Sequence, residues 1–295
     1  MATCDFSIDL RSDTVTKPTP EMREAMAKAV TGDDVFQEDP EINELQERCA
    51  EMFGMEAGLF CPSGTMTNQI AISVHTQRGD EVICDKLSHV YNYEGGGIAR
   101  LAGASVKLMD GDRGRFTAAD VLDAINPDDS HYANTSLVCL EDTCNKGGGA
   151  VWDVDLIASV SQSARNNGLG VHLDGARLWN AIVARGIQSD TQALANYGSH
   201  FDSISLCLSK GLGCPVGSVL IGSKDFIAKA VSTLNDREKT IIKLRKLKEK
   251  SITLDELGQM LKISKERVRQ IETKALEKLR KAILEISQQD KEFFI

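Results

Sequence analysis

Short apolar runs alternate with amphipathic helical patterns along the first 230 residues of the chain. The runs at 82–84, 137–140 and 171–173 have the length and composition of buried strands. Apolar residues at helical spacing separate the runs, most clearly at 154–166, where an Asn-Gly pair predicts the helix end. This alternation predicts an α/β fold with a mostly parallel sheet and helices on both faces.

Helical patterns also cover residues 20–30, 40–53 and 116–125, whereas residues 8–17 are polar and irregular. The first two of these helices begin with proline, which is favoured at the start of a helix. We expect them to shape access to a site rather than to carry chemistry. The polar segment before them is typical of a flexible N-terminal arm.

Two of the predicted strands lead to side chains that are candidates for catalysis or ligand binding. The run at 171–173 reaches Asp174 and a Gly-Ala turn, with Arg177 three residues further on, and SISLCLS leads to Lys210. Sheets of this class bind ligands at the carboxyl ends of their strands. Taken singly, the lysine has an ordinary interpretation as a solvated loop residue, and Asp-Gly is a common turn. Together they match pyridoxal phosphate, which needs a lysine amine for its aldehyde and a carboxylate for its ring nitrogen.

Two further segments carry candidate residues. GLFCPSGTMTN predicts a strand, a tight turn and a helix, and the helix N-terminus at Ser63, Gly64 and Thr65 could hold a phosphate. The same pattern is also an ordinary helix cap. His89 is expected in a loop before three glycines, as a structural residue or as a proton-transfer group. Glu94 lies close in sequence and is expected at most to support that ring.

The charge divides the chain into two unlike parts. Residues 232–295 carry 16 Lys and Arg against 11 Asp and Glu, a net of +5, while the remainder carries 18 against 32, a net of −14. Such asymmetry predicts two different roles and a domain boundary near Val231.

Composition also bounds the class of protein. With 295 residues and 42% hydrophobic content, the chain can bury a core in one large domain or two ordinary ones. We find no apolar run of ~20 residues and no leader pattern, so we expect a cytoplasmic protein without a membrane partner. The eight cysteines form no Cys-x-x-Cys pair, which favours reduced, mostly buried thiols, and no metal site is predicted.

From Asp9 to about Ala228 the chain resembles the low-specificity L-threonine aldolases, which are fold-type-I pyridoxal phosphate enzymes. Five blocks carry the resemblance in the family's order: DLRSDTVTKPT, CPSGTMTNQ, SHVYNYEGGG, HLDGARLWNA and SLCLSKGLGCPVGSVLIG. The resemblance implies a large domain over residues 1–230 with a mostly parallel seven-stranded sheet. It also implies a small C-terminal domain with further arginines, which we do not see in this chain, so impaired turnover is expected.

The activity implied by the resemblance is cleavage of L-threonine or L-allo-threonine to glycine and acetaldehyde in a dimer or tetramer. Lys210, His89 and Asp174 would be catalytic, with Ser12 and Arg177 at the substrate. The implied cofactor-binding residues are Ser63, Gly64, Thr65, His89, Asp174, Arg177 and Lys210. One block departs from the family's usual Glu-Asn-Thr-His-Asn, because Asp142 replaces the asparagine and Cys144 the histidine. A histidine role at position 144 is therefore not carried over.

The tail predicts short helices with two capping boxes, and helix, turn and basic helix follow one another as in a helix-turn-helix. A small solvated helical bundle is the alternative. TLDELGQMLKISKERVRQIETKALEKLRKAI resembles the fourth conserved region of bacterial sigma factors, which implies an all-α domain over 232–295 that binds promoter DNA and RNA polymerase. The implied DNA-binding residues are Lys265, Glu266, Arg267, Arg269, Gln270 and Lys274.

Two hypotheses are alternatives to an active aldolase. In one, the tail is a DNA-binding module on an inactive enzyme scaffold. In the other, the chain joins two fragments, neither of which performs its full function.

Overall fold

The computed structural model describes residues 9–33 and 37–232 of the chain. All of these residues except Ser232 belong to one compact unit, Met1–Val231. The predicted helix-turn-helix and its six candidate DNA-binding residues lie outside the described part. The boundary near Val231 therefore stays a prediction.

Seven strands form one sheet in the described residues, in the order β1-β7-β6-β5-β4-β2-β3. The five strands β2 to β6 are parallel to one another, while β7 is antiparallel to both β1 and β6. The strands are β1 (Ala57–Cys61), β2 (Glu81–Asp85), β3 (Ser105–Met109), β4 (Thr135–Glu141), β5 (Gly170–Gly175), β6 (Ser203–Cys207) and β7 (Ser218–Gly222). The prediction of an α/β fold with a mostly parallel seven-stranded sheet is confirmed.

The described α-helices are α1 (Pro20–Lys28), α2 (Pro40–Met52), α3 (Gly64–His75), α4 (His89–Asn92), α5 (Ala118–Ala124), α6 (Val154–Asn166), α7 (Leu178–Arg185), α8 (Thr191–Gly198) and α9 (Lys224–Ser232). A 3-10 turn at Asp13–Val15 and a π-helical turn at Ile98–Ala102 complete them. Helix α6 has the predicted bounds, because Asp153 caps its first turn and Gly168 follows its end at φ +76°.

Successive side chains of each strand point to opposite faces of the sheet. In β5, Val171 and Leu173 join a large apolar core with residues of α2 and α5 to α8. His172 and Asp174 alternate with them on the other face, where α3 and α9 pack. Helices therefore cover both faces, as predicted, and the face toward α3 carries the buried polar side chains of β5 and β6.

The topology brings four segments to one edge of the sheet. Because β7 is antiparallel to both of its neighbours, β1 and β6 run in the same direction. The start of α3, which follows β1, therefore lies at the same edge as the carboxyl ends of β4, β5 and β6. Asp174 is near the end of β5, so this edge holds the predicted site.

Two local predictions need correction. Strand β6 ends at Cys207, so Lys210 lies in the loop three residues beyond it rather than at the strand end. His89 begins the one-turn helix α4 instead of lying in a loop. In both places the chain turns to follow tertiary contacts, such as the bond from Thr16 Oγ1 to the Lys210 carbonyl.

None of the helices in residues 9–33 and 37–232 is long and apolar enough to cross a membrane. The seven cysteines described there carry free thiols, and all but Cys214 are buried. The described cysteines thus agree with the expected reduced, mostly buried state.

Candidate active site

Most of the predicted cofactor residues surround one cavity of about 140 Å³ at the carboxyl edge of the sheet. Its walls come from the start of α3, the start of α4, the end of β5 and the loop after β6. The lining residues are Ser63, Gly64, Thr65, Asn68, His89, Asp174, Ala176, Cys207, Ser209 and Lys210. The fold thus gathers residues that lie up to 147 positions apart, from Ser63 to Lys210.

Asp174 contributes a buried carboxylate with one unused oxygen. Asp174 is only 2% exposed, and its Oδ1 accepts a hydrogen bond from the Ala176 backbone N–H at 3.1 Å. Oδ2 is buried and has no hydrogen-bond partner among the described residues. Burial raises the pKa of Asp174, as does the charge of Glu94, while His89 and Lys210 oppose the rise. A buried oxygen without a donor is costly, so this site fits a ligand that brings a donor, such as a protonated ring nitrogen.

The start of α3 is suited to an anion. Ser63 caps the helix, since its Oγ accepts from the Met66 N–H at 3.3 Å. The N–H groups of Gly64 and Thr65 belong to the first turn, where no intrahelical acceptor exists. Ser218 Oγ, which is buried without a partner in the described part of the chain, lies 3.6 Å from where a Gly64 Cβ would stand. These donors fit a phosphate group.

His89 is held at two points. Its backbone N–H donates to Glu141 Oε2 at 2.8 Å, and its Nδ1 lies 3.0 Å from Glu94 Oε1. The hydrogen bond with Glu94 raises the pKa of His89 more than burial lowers it, and the charges of Asp174, Glu94 and Glu141 add to the rise. The ring therefore binds a proton more readily than a free imidazole, and it faces the same cavity as Lys210.

Glu141 ends β4 beneath His89. Burial raises its pKa to about 7, with the charge of Asp174 adding to the rise, while the backbone N–H groups of Asn145 and His89 oppose it. Glu141 thus changes charge close to neutral pH, next to the cavity.

Lys210 lies in a loop that is tied to the N-terminal segment. The Gly213 N–H and Thr16 Oγ1 both donate to the Lys210 carbonyl, at 2.9 and 2.7 Å. Gly213 has a φ of +74°, a conformation that L side chains rarely adopt, so glycine permits this turn. The resemblance implies that Ser12 lies at the substrate, and Thr16 of the same segment does contact the Lys210 loop.

Arg177 makes a bidentate ion pair with Asp13 outside the cavity. Its Nε and Nη2 donate to the two carboxylate oxygens, each at 2.8 Å. Burial raises the pKa of Asp13, but the bonds and charge of Arg177, with the charge of Lys210, outweigh it and lower that pKa. The pair fastens the N-terminal segment to the start of α7.

Ser12 is also absent from the residues that line the Lys210 cavity. It caps the Asp13–Val15 turn, where its Oγ accepts from the Thr14 N–H at 3.2 Å. Ser12 instead lines an open cleft along residues 9–16. The substrate roles of Ser12 and Arg177 stay predictions.

The two departures from the aldolase pattern lie behind the cavity rather than in it. Asp142 accepts hydrogen bonds from Arg185 Nη2 at 2.7 Å and from the Tyr197 hydroxyl at 2.8 Å. Cys144 Sγ donates to the Glu141 carbonyl, and burial raises the pKa of its thiol to about 12. Cys144 is therefore an unreactive thiol, and both residues support the turn after β4.

Sequence reasoning missed four lining residues, Asn68, Ala176, Cys207 and Ser209, and underrated Glu94. One signal was available, because Thr67, Asn68 and Gln69 are consecutive polar residues directly before the apolar run Ile70, Ala71 and Ile72 in the same helix. All three polar residues are buried. Buried polar side chains need partners, and such a run indicates a polar site on that helix face.

The profile of the beta-eliminating lyase family matches residues 9–285 of the chain. The chain is 46% identical over 225 residues to an uncharacterized protein of Caenorhabditis elegans, covering 76% of this chain and 53% of that protein. It is 43% identical over 228 residues to low-specificity L-threonine aldolase 1 of Arabidopsis thaliana, covering 76% of this chain and 62% of the relative.

A solved structure of a putative L-allo-threonine aldolase from Listeria monocytogenes superposes with a TM-score of 0.59 at 25% identity. The match covers 73% of this chain and 59% of that one. The chain thus spans between about half and two thirds of the length of these relatives. Because the family profile matches nearly the whole chain, the chain belongs to the beta-eliminating lyase family.

Proposed function

We propose that this protein is a pyridoxal phosphate-dependent aldehyde-lyase that cleaves L-threonine or L-allo-threonine to glycine and acetaldehyde. The observation that carries the proposal is the Lys210 cavity, where a lysine meets a buried carboxylate with one unpartnered oxygen. The aldolases among the relatives support the same reaction.

Each part of the cofactor has a place in the cavity. Lys210 would bond its aldehyde carbon, Asp174 would accept from its ring nitrogen, and Ser63, Gly64 and Thr65 would hold its phosphate. His89 lines the same cavity and would pack against the ring. When bound, pyridoxal phosphate supplies a sink for the electron pair released at the substrate Cα.

The protein's own residues have two tasks in the reaction. His89 accepts the proton of the substrate β-hydroxyl, since its unbonded Nε2 is the basic atom that remains once Nδ1 is bonded to Glu94. The Cα–Cβ bond then breaks, acetaldehyde leaves, and Cα takes up a proton to give glycine. The buried Asp174 carboxylate provides the negative charge that keeps the ring nitrogen protonated.

Substrate orientation and assembly belong to the same proposal. Arg177 and Ser12, on the segment tied to the Lys210 loop, would orient the substrate carboxylate. Apolar side chains exposed around this edge support an assembly of two or four copies of the chain. They include Tyr91, Tyr93, Leu212 and Val216.

The first test is an absorption spectrum of the full chain with pyridoxal phosphate, followed by L-threonine and an acetaldehyde assay. We expect a band of the lysine-bound cofactor that Lys210→Ala abolishes and that Lys107→Ala, an exposed lysine on β3, retains. Acetaldehyde release would support the reaction. A band equal in Lys210→Ala and wild type would contradict the proposed role of Lys210.

A second function rests on the tail, outside the described residues, and is supported by its sequence alone. The sigma-like segment over 232–295 would bind promoter-like DNA through Lys265, Glu266, Arg269 and Gln270, with Arg267 and Lys274 at the backbone. The relatives reported above support the enzyme only. Binding of the full chain to a −35-like duplex should weaken steeply with salt, because phosphate contacts release counterions. Binding that is absent or insensitive to salt would exclude this function.

A further inference from the structure

Glu94 lies at the centre of a buried hydrogen-bond network beside the cavity. Its side chain is fully buried, and its two oxygens accept from three side chains. Oε1 accepts from Asn68 Nδ2 at 2.8 Å and pairs with His89 Nδ1 at 3.0 Å, and Oε2 accepts from Gln69 Nε2. Three donors around one carboxylate offset much of the cost of burying its charge.

The network continues between α3 and the sheet toward the opposite edge. The Asn68 Oδ1 lies 3.1 Å from His172 Nε2, and His172 Nδ1 lies 2.8 Å from Ser203 Oγ. Ser203 Oγ in turn lies 2.8 Å from His75 Nε2. A single line of polar groups therefore joins the cavity side of the sheet to the end of α3.

The two histidines in this line are uncharged at neutral pH. Burial lowers the pKa of His172 to about 3, with the charge of His75 adding to the shift, and burial lowers the pKa of His75 to about 4. A neutral imidazole has one nitrogen that donates and one that accepts. Once the donor and acceptor of one hydrogen bond in the line are fixed, those of the other hydrogen bonds follow.

The carboxylate of Glu94 sets that direction, because an ionised carboxylate can only accept. Asn68 must present its amide nitrogen to Glu94, which leaves Oδ1 to accept from His172 Nε2–H. His172 Nδ1 then accepts from the Ser203 hydroxyl, and Ser203 accepts from His75 Nε2–H. All the links from Glu94 to His75 are satisfied only in this arrangement, which locks Asn68 and so holds Glu94 in place.

The same constraint acts on the other side of Glu94, where the partner is His89. We propose that Glu94 is a positioning residue that keeps the His89 proton on Nδ1, so that Nε2 is left free to accept a proton in the cavity. Asn68 and His172 act through Glu94 by fixing the orientation of its carboxylate. The assignment of Nε2 to catalysis rests on the proposed function, whereas the position of the proton does not.

Other charged groups near His89 do not reach its Nδ1. Asp174 and Glu141 act on the ring through their charge, and Glu141 is bonded to the backbone N–H instead. The Tyr93 ring lies 5.5 Å from the His89 ring and has the Lys146 ammonium 5.1 Å from its centroid. Among the described residues, the bond to Nδ1 comes from Glu94.

The first experiment reads the proton position directly in the full-length apoprotein. Histidine ring nitrogens labelled with 15N give separate resonances for protonated and unprotonated nitrogens, and His89→Gln identifies the His89 signals among the five histidines. Above the His89 pKa we expect a proton on Nδ1 and none on Nε2. A neutral His89 with its proton mainly on Nε2 would overturn the proposal, whatever the enzyme does with threonine.

The second experiment compares Glu94→Gln with Glu141→Gln. Glu94→Gln removes the obligate acceptor, so the pKa of His89 should fall and both ring protonation forms should appear. Above pH 7, where Glu141 is ionised, Glu141→Gln removes a charge of the same sign near His89 but keeps the Nδ1 partner, so the proton should stay on Nδ1. Equal protonation patterns in the two variants would contradict a special role for Glu94.

Kinetics separate positioning from a purely structural role. In Glu94→Gln, kcat should fall about 10²-fold or more and its pH profile should shift with the His89 pKa, while the cofactor band on Lys210 remains. Loss of the cofactor band together with kcat would overturn the positioning role in favour of a structural one. If wild type shows the Nδ1 proton but no cleavage of threonine, the proposed function fails and the positioning by Glu94 stands.

Discussion

At the scale of single residues, Asp174 has a buried carboxylate oxygen that lowers the stability of the fold. One carboxylate oxygen is bonded to the Ala176 N–H, and the other is buried without a partner in the described part of the chain. A protein selected for stability alone would fill this position with an apolar residue or supply a donor. The unused oxygen is the feature that a bound cofactor would complete.

We expect Asp174→Asn to separate binding from turnover. The variant should still show the cofactor band, because Lys210 is intact, but acetaldehyde release should fall about 10²–10³-fold, since the negative charge at the ring nitrogen is lost. The apoprotein should be no less stable than wild type in urea, because the change removes a buried carboxylate. Asp155→Asn, an exposed acid on α6, is the control and should leave both properties unchanged.

Arg185 and Asp142 form a second buried pair whose role is structural. Arg185→Met should cost about 3–5 kcal/mol in urea unfolding at neutral pH, because Asp142 would keep a buried charge without its cation. Replacing both partners by apolar residues should cost less.

The stability difference between Arg185→Met and wild type should depend on pH because the pKa of Asp142 is raised. Burial raises this pKa, and the charge of Arg185 opposes the rise. A carboxyl whose pKa is raised on folding stabilises the fold less as pH rises from its unfolded pKa through its folded pKa. The deficit of Arg185→Met should therefore shrink as the pH falls and Asp142 is protonated. A deficit that is constant with pH would show that lost packing, and not the unpaired charge, explains it.

At the scale of elements, helix α3 combines three functions along its length. Its first turn presents the donors proposed to bind the phosphate, its second turn carries Asn68 and Gln69 toward Glu94, and its end carries His75. The helix begins where it does because Ser63 has an extended backbone and caps the Met66 N–H. One short element thus links the phosphate site with the network that holds His89.

Ser63→Asp tests the phosphate site without destroying the helix. Aspartate is as good a helix cap as serine, so the urea midpoint should change little, but its charge would repel a phosphate. We expect weaker binding of pyridoxal phosphate and unchanged binding of pyridoxal, which lacks the phosphate. Ser63→Ala is the companion variant and should cost about 1 kcal/mol of stability. Parallel losses for both ligands would place the phosphate elsewhere.

The line of buried histidines makes a separate prediction about pH. A histidine whose pKa is lowered on folding stabilises the fold above its unfolded pKa of about 6.5, and that contribution is lost as the pH falls toward its folded pKa. The stability advantage of wild type over His172→Gln should therefore shrink below pH 6.5, by about 1.4 kcal/mol per pH unit. Comparing the two proteins cancels the opposite slope from Glu141, whose folded pKa is raised to about 7. An advantage independent of pH would refute neutral burial of His172.

At the scale of the whole molecule, the described residues place a large apolar core on one face of the sheet, while the face toward α3 carries a line of buried polar side chains beside smaller apolar clusters. Core residues such as Leu173 and Ile204 alternate with His172 and Ser203 along β5 and β6. Because a ligand in the Lys210 cavity binds the folded chain and not the unfolded one, it should stabilise the whole unit.

We expect pyridoxal phosphate to raise the melting temperature of the full chain in proportion to the logarithm of its concentration above Kd. Lys210→Ala should lose most of this effect, while Lys107→Ala should retain it. Differential scanning fluorimetry over a range of cofactor concentrations measures both. A melting temperature that responds equally in Lys210→Ala would show that the stabilising site is not the Lys210 cavity.

The sequence by itself determined the fold class, most helix and strand positions, and the residue types of the candidate site. These are local properties: the period of apolar residues predicts an element, and caps such as Asp153 and Ser63 mark where helices begin. The catalytic and cofactor roles came from a resemblance carried by local motifs and stay predictions. The same holds for the tail, its boundary and its DNA-binding residues.

Only the tertiary structure decided which side chains meet. The pairing of Arg177 with Asp13 joins residues 164 positions apart, and that of Asn68 with Glu94 joins residues 26 apart. Such contacts depend on the order and direction of strands, because β7 must run antiparallel before β1 and β6 can bring α3 beside the Lys210 loop. Strand order is a property of the whole sheet, and no local period or cap in the sequence encodes it.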